Sequence, residues 1–431
     1  MPAAVDLTVG KLERVIPQKE GQHLRVGLVT GFEPEELLQS LHATNLLPLS
    51  VGILFASGPY DHPKLFEELV ERLPCPIWGF SAAGLLHSGS DDFQVRGLAL
   101  LGIQSFGDVF SASTVLGFPK GSEEAGRLAR RAFEGCRFGP ELLYLALAAR
   151  PPAETVKFSP FTLLVGHSDV GSEEENLMGI SQELGRSVRI VGGTAGDTLF
   201  LERVSERYCY GEGRAEKGAL SLLGIATTLK NGVGMANAFR PVKGKGAFVT
   251  ESLGRQVKTL DHKPAADVYA ELVGAQSWEE AQAYFKSHPL GIVEVTTGYW
   301  QVRSPAAIGA DGSLFFFSHV PQGSGLTLLE TDREARIQSV RAAVRRALAD
   351  AGFPKRIAAV IAFNCVLCHQ QALSLACTRE ELRAIQQEVG WDVPILGAST
   401  YGETGTTVSG TVGHHNQTIT LWVLADEACT E

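Results

Sequence analysis

A unit of strand, helix, second strand and returning strand occurs three times along this chain, and each second strand runs into a glycine turn carrying a hydroxyl. In the first occurrence a β-rich run at 49–56 precedes a helix with Leu65, Leu69 and Leu73 on one face. The segment 77–81 then ends in Gly79-Phe80-Ser81, and 95–103 returns. The second occurrence sets strands at 161–165, 188–191 and 219–226 around a helix bearing Leu177, Ile180 and Leu184, with the turn Gly192-Gly193-Thr194. The third has strands at 357–363, 393–396 and 418–424, a helix opening at Thr378 and closing at Gly390, and the turn Gly397-Ala398-Ser399. Apolar spacing near 3.6 marks the helices, and short β-rich runs bounded by Gly, Ser and Asp mark the strands. Singly, such turns mean little. Their fixed place in a recurring order points to duplication and puts equivalent loops at equivalent sheet edges.

A strand that returns without an intervening helix pairs antiparallel, whereas a strand–helix–strand step pairs parallel. The expected fold class is therefore α/β in the mixed α+β sense: duplicated strand-helix-strand-strand units forming mixed sheets flanked by helices, in two domains. A chain of 431 residues is long enough for two cores. The Gly/Lys-rich stretch at 244–246 is the expected boundary. It divides the chain into a leader at 1–23, a domain at 24–245 with two copies, and a domain at 246–431 with the third. Between copies two and three, a helix starts near Pro264 and strands are expected at 299–303 and 313–317. The helix at 331–350 follows, with arginines 333, 336, 341, 345 and 346 read as a solvated face. Capping boxes are read at Ser172/Glu175, Thr331/Glu334 and Thr378/Glu381.

The formal net charge of -10 argues against nucleic acid or an anionic membrane surface as a partner. The N-terminal stretch has no apolar signal region, and the longest apolar runs are far too short to cross a bilayer. Seven scattered cysteines fit reduced thiols better than a disulfide framework. A cytoplasmic protein is expected.

The third copy carries the densest chemistry. Its first strand ends in Phe363-Asn364-Cys365-Val366-Leu367-Cys368-His369, two thiols and an imidazole at a sheet edge, where open α/β sheets bind ligands. Four readings stand. His369 could be the axial ligand of a non-covalent haem, since one imidazole and an apolar pocket suffice. Cys365, Cys368 and His369 could give three of the four ligands of a zinc site, with Cys377, His414 or His415 as the fourth. The Cys-x-x-Cys could be a dithiol switch. Or Cys365 is a small core side chain and His369 a satisfied one. The spacing also matches covalent c-type haem attachment, which the absence of an export signal disfavours. Asp197 and Glu403 lie beside equivalent turns and are candidate ligand-binding carboxylates. Ser81 is a turn former, because no elbow glycine follows it. His414 and His415 read as loop surface, and Trp78, Trp300 and Tyr401 could stack on a planar ligand.

Taken together, these residues resemble the FIST domain family. The motifs are Phe55-Ala56-Ser57, Gly79-Phe80-Ser81-Ala82-Ala83-Gly84, Val191-Gly192-Gly193-Thr194-Ala195-Gly196-Asp197, Pro289-Leu290-Gly291, Phe363-x-Cys365 and Tyr401-Gly402-Glu403. The resemblance assigns 24–245 to the family's N-terminal region and 246–431 to its C-terminal region. It implies a small-molecule sensory module, not an enzyme, that signals by contact with a separate protein such as a histidine kinase or cyclic-nucleotide enzyme. It leaves homo-oligomerisation open. Family ligands are proposed amino acids, and one branch resembles haem-binding nitric-oxide sensors. Members often carry arginine where this chain has Cys368-His369, which favours a soft-ligand site and haem. The candidate ligand-binding set is Cys365, Cys368, His369, Ser399, Tyr401, Glu403, Gly79, Ser81, Gly193, Thr194 and Asp197, with His369 the metal ligand.

Overall fold

The computed structural model describes residues 18–90, 93–137, 139, 161–197 and 206–429. In it three sheets turn one apolar face each onto a shared core. The first sheet runs Lys19–Glu20, Leu24–Gly31, Gly97–Ser105, Val51–Ser57, Ile77–Ser81, Cys209–Gly211, Arg214–Glu216 in spatial order. The second runs Val412–His415, Glu403–Thr406, Arg189–Thr194, Phe161–His167, Leu220–Thr227, Phe110–Gly117. The third runs Leu229–Asn237, Thr418–Ala428, Ile357–Cys365, Ile395–Thr400, Leu85–His87. In each sheet the two strands joined through a helix are parallel, and the remaining pairs are antiparallel, as the missing helix before the returning strand requires.

Phe55, Trp78 and Phe80 of the first sheet meet Phe363 of the third at the centre, with ring centroids 4.8 to 6.3 Å apart. Leu164 and Val191 of the second sheet close the same core. Two helices cover the outer face of each sheet: Pro34–His42 and His62–Arg72 on the first, Ser122–Glu134 and Glu173–Leu184 on the second, Arg333–Asp350 and Thr378–Val389 on the third. Each unit thus begins one strand and one helix before the recurrence read from sequence. In the third unit the reason is visible. Its leading strand contains Gly232 and Gly234, where a Cβ would lie 2.2 Å and 2.0 Å from the carbonyl oxygens of Ala347 and Ala343. Glycine lets helix and strand touch and also erases the β-rich signal.

The glycine turns have a similar cause. A Cβ on Gly79 would sit 1.7 Å from the carbonyl oxygen of Leu54, and one on Gly192 1.9 Å from that of Val165. Only glycine permits the parallel neighbour at that distance. At Gly397 the nearest carbonyl oxygen is 3.2 Å away, so the third turn is looser.

After its turn, each unit sends its next strand into a neighbouring sheet. Leu85–His87 of the first unit joins the third sheet, Cys209–Gly211 of the second joins the first, and Glu403–Thr406 of the third joins the second. The exchange is cyclic. Asp426 of the last strand also accepts from the backbone amides of Gln22, His23 and Leu24 at 2.6 to 2.8 Å, tying the third unit to the first.

Residues 240–330 form a separate eight-stranded sheet, inserted between the first strand and first helix of the third unit and packed on Ala265–Val273. The expected boundary at 245–246 falls inside its long strand Arg240–Leu253. The expected leader lies largely outside the described residues, although Lys19–Glu20 already pairs with Leu24–Gly31. Among the described residues no helix is long and apolar enough to cross a membrane.

Local readings also shift. Helix Arg333–Asp350 is capped by Asp332, which accepts from the Ala335 amide at 2.8 Å, one residue beyond the expected cap. Ser172 accepts from the Asn176 side chain instead of capping. Glu381 is drawn away by Arg336. The arginines form a solvated face only in part: Arg333, Arg345 and Arg346 are exposed. Arg336 is buried, and Arg333 and Arg345 bond Glu380 and Glu388 of the neighbouring helix.

Candidate functional site

The three turns meet at one place. The carbonyl of each hydroxyl residue accepts the backbone amide two residues past the next unit's hydroxyl: Gly196 to Ser81 at 2.9 Å, Tyr401 to Thr194 at 2.9 Å, Ala83 to Ser399 at 3.0 Å. Each hydroxyl residue's own amide donates to the carbonyl of the residue just before the borrowed strand, Tyr208, Gly402 and Gly84, at 2.9 Å. This closed ring of backbone bonds brings Gly79, Ser81, Gly193, Thr194 and Ser399 together as structural members. Their side chains have diverged. The Ser81 hydroxyl donates to the Gly196 carbonyl at 3.0 Å, that of Thr194 bonds Glu173 at 3.2 Å, and that of Ser399 is buried without a partner. The residues facing them across the parallel pairs are Ala56, His167 and Asn364.

Beside the ring a cavity of about 330 Å³ opens between the second and third units and the inserted sheet. Cys365, at the end of its strand, and Tyr401, just past the third turn, form part of its wall. Val366 and Leu367 of the helix Val366–Ser374 add apolar surface, and Phe317 comes from the insert. The Tyr401 hydroxyl bonds the Asp197 carboxylate, and the Arg207 guanidinium lies over its ring, 5.8 Å from the centroid. Burial, then the bond to Asp197, raises the Tyr401 phenol above its ordinary range, so it stays a donor. The side-chain oxygen of Gln370 is buried at this wall without a partner.

Behind Cys365 lies a buried polar chain. Arg336 donates to Glu381 at 2.6 and 2.9 Å, and Asn364 donates to the other Glu381 oxygen at 3.3 Å. Burial would raise the Cys368 thiol, but hydrogen bonding from Cys365 and the charge of Arg336 hold it below its ordinary value. Burial pushes Cys365 well up. Glu403 is fully buried and accepts from the hydroxyls of Thr400 and Thr418 at 2.7 and 2.8 Å. Burial raises its carboxyl. Asp197 and Glu403 therefore do not meet: one holds Tyr401 at the cavity, and the other is spent inside the sheet.

His369 takes a different position from the one its residue type suggested. It sits in the helix Val366–Ser374, absent from the sequence reading, and is 2 % exposed. Its ring stacks on Phe93 with centroids 3.4 Å apart and is not part of the cavity wall. That packing gives the haem expectation no geometry to rest on. Among the described residues no group of three or more His, Cys, Asp or Glu side chains is placed to hold a metal ion. Cys365, Cys368 and His369 thus do not make the zinc set, and Cys377, His414 and His415 do not complete it. His414 and His415 are not loop surface either: they lie in the strand Val412–His415 and are 4 % exposed.

Models of the FIST N and FIST C domains match residues 50–263 and 265–406. The chain belongs to the FIST family. FIST domains are generally small-ligand sensory modules of signalling proteins. The join between the two matches falls within the inserted sheet, so the third unit's leading strand lies in the FIST N match. An uncharacterised protein of Methanocaldococcus jannaschii is 26% identical over 185 residues, 40% of this chain. The match spans 35% of that relative's length. A cyanuric acid hydrolase from A. caulinodans aligns over 93% of this chain and 99% of its own at 7% identity, with a TM-score of 0.34, too slight a likeness to carry an argument.

Arg207, Phe317 and Gln370 were not found from sequence. Arg207 follows a stretch without periodicity, and Phe317 reaches the cavity from an insert, eighty residues before the third turn begins. Only packing joins them.

Proposed function

We propose that this FIST protein is a binding protein, not an enzyme, whose ligand is an amino-acid-sized molecule seated in the cavity beside the ring of turns. The observation that carries the reading is the pairing there of Tyr401, fixed by Asp197 under Arg207, with an unpartnered Gln370 oxygen in a mostly apolar wall. A ligand acid suits Arg207, a ligand N–H suits Gln370, and an apolar body suits Phe317, Val366 and Leu367. A volume of about 330 Å³ is near the low end for small-molecule sites, roughly 300–1,000 Å³. That supports an amino acid or similar metabolite over haem.

Occupancy would pass to the insert. The helix Val366–Ser374 forms one wall, and its Gln371 bonds the Lys286 carbonyl of the insert and the Gln417 side chain. A shift there changes the surface offered to a separate signalling partner. Native mass spectrometry of the protein from its own host, followed by thermal shift with the twenty amino acids, tests the reading. A bound species of amino-acid mass, whose stabilisation weakens at least about tenfold in Tyr401→Phe, supports it. No response from any of the twenty, or an unchanged response in Tyr401→Phe, refutes it.

A second reading rests on the lowered Cys368 thiol next to Cys365, which suits a dithiol switch. Thiol counting before and after exposure to glutathione disulfide separates the two: loss of two thiols, reversed by reductant, favours the switch.

A further inference from the structure

A second, larger cavity of about 630 Å³ lies between the helix Glu173–Leu184, the hairpin of Glu403–Thr406 with Val412–His415, and the insert strand Tyr299–Arg303. It is separate from the cavity at Tyr401. Arg303, His414, His415 and Glu174 stand in its wall.

The direct contacts there are unevenly shared. Arg255 bonds both Glu173 and Glu174, and Glu174 also accepts from the His319 amide at 2.9 Å. Burial opposes the Glu173 carboxylate, yet cations around it, His414 if protonated and then Arg255, hold it at about 2. At neutral pH that role falls to Arg255, since burial keeps the His414 and neighbouring His167 imidazoles neutral, the latter at about 4. Both carboxylates are in direct contact with Arg255, and the charge of Glu174 also acts on Arg303. Arg303 has no carboxylate within ion-pair distance among the described residues. Its donations go to neutral oxygens: the His319 carbonyl at 2.9 Å, the Val302 carbonyl at 3.1 Å and the Gln301 side chain at 3.0 Å. Five N–H groups minus three leaves two to spend. Burial lowers its guanidinium to about 10, still charged at pH 7.

The imidazoles add unspent groups. Both ring nitrogens of His414 and Nε2 of His415 are buried without a partner. The His415 ring, held neutral by burial at about 3, faces the Gly405 carbonyl with its other nitrogen. A proton held on that nitrogen leaves Nε2 a bare acceptor. A buried polar group left unpaired costs on the order of 1–3 kcal/mol. Three such atoms, in two residues of the wall of a roomy cavity and next to a guanidinium that no carboxylate contacts directly among the described residues, mark a built site.

We propose that this cavity binds a small hydroxycarboxylate: its carboxylate takes the two spare N–H groups of Arg303, and its hydroxyl donates to the unpartnered imidazole nitrogen of His415. Neither half suffices. A plain carboxylate leaves the acceptor unpaired, and an alcohol leaves the spare N–H groups of Arg303 unpaired. The site joins all three bodies around it, so the ligand would clamp the insert onto the second and third units.

The probes are sodium L-malate and sodium L-lactate, set against succinate and propionate, which lack only the hydroxyl, and against sodium chloride at equal ionic strength. Affinity is read by calorimetry and, independently, by the side-chain resonances of ¹⁵N-histidine-labelled full-length protein. A hydroxy acid should bind saturably, at least about tenfold tighter than its deoxy partner, because the site rejects an analogue that strands its acceptor. The His414 and His415 resonances should move with it. Arg303→Gln should weaken binding about ten- to hundredfold, whereas Tyr401→Phe, in the other cavity, should leave it unchanged. Three outcomes overturn the proposal: no histidine resonance of the unmodified protein responds to either hydroxy acid at about 10 mM, each deoxy acid binds as well, or Arg303→Gln binds as before. Should Arg303→Gln fail to fold, His415→Phe removes the acceptor alone and must abolish the preference for the hydroxyl. If it does not, the assignment is wrong.

Discussion

Replacing Arg336 with methionine strands a carboxylate in the outer core of the third sheet. Arg336 is 2 % exposed and gives Glu381 two bonds, at 2.6 and 2.9 Å. Removing one member of such a pair costs about 3–5 kcal/mol, since the other charge stays buried and unpaired. Glu381→Leu should cost about the same for the mirror reason. Two independent losses would sum to about 6–10 kcal/mol, but the double variant replaces the pair with apolar side chains and should lose no more than about 2 kcal/mol. The sign with pH follows. Burial already raises the Glu381 carboxyl above its ordinary value, with Arg336 opposing it. Without Arg336 it rises further, so the folded state binds a proton that the unfolded state releases, and stability falls as pH rises. The penalty of Arg336→Met must therefore be smaller at pH 5 than at pH 8. Urea denaturation of the four proteins at both pH values measures all of this. A double variant as unstable as the sum of the singles, or a penalty that grows toward low pH, would refute the reasoning.

Three further expectations can be checked alongside it. Gly192→Ala puts a Cβ 1.9 Å from the Val165 carbonyl oxygen and should cost about 3 kcal/mol or more in urea denaturation, whereas Gly397→Ala should stay within about 1 kcal/mol. Phe363→Ala empties the centre of the aromatic cluster shared by the first and third sheets and should lose about 3–5 kcal/mol, read from the same unfolding curves. Tyr401→Phe leaves Asp197, 8 % exposed, without its phenol and should cost about 1–3 kcal/mol of stability, apart from any ligand.

Much of the architecture was legible because it is periodic. The leucine rows at 65–73 and 177–184, the β-rich runs around Val51 and Phe161, and the spacing of the glycine turns each report local geometry. What was lost was lost for local reasons too. Gly232 and Gly234 trade β signal for close packing, and Val366–Ser374 is a nine-residue helix whose Cys-His content reads as a strand end. Glu381 and Ser172 have capping-box spacing but better partners nearby in space. At the site, sequence singled out Cys365, Tyr401 and Asp197, which the fold brings to or next to one cavity. It misread His369, His414 and His415, because residue type says what a ring can bind and nothing about which neighbour covers it. Arg207 and Arg303 could not be found at all, since nothing in the local sequence says which cavity an arginine will line.

The circular lending of strands sets how this molecule must fail. A stack of repeats can fray from an exposed end, each module giving way with modest loss to the rest. Here every module holds an edge of the next, and the last holds the first, so there is no outermost module to peel. Damage at any of the three junctions should be felt in all of them at once, and the body around the turns should melt as a single cooperative event.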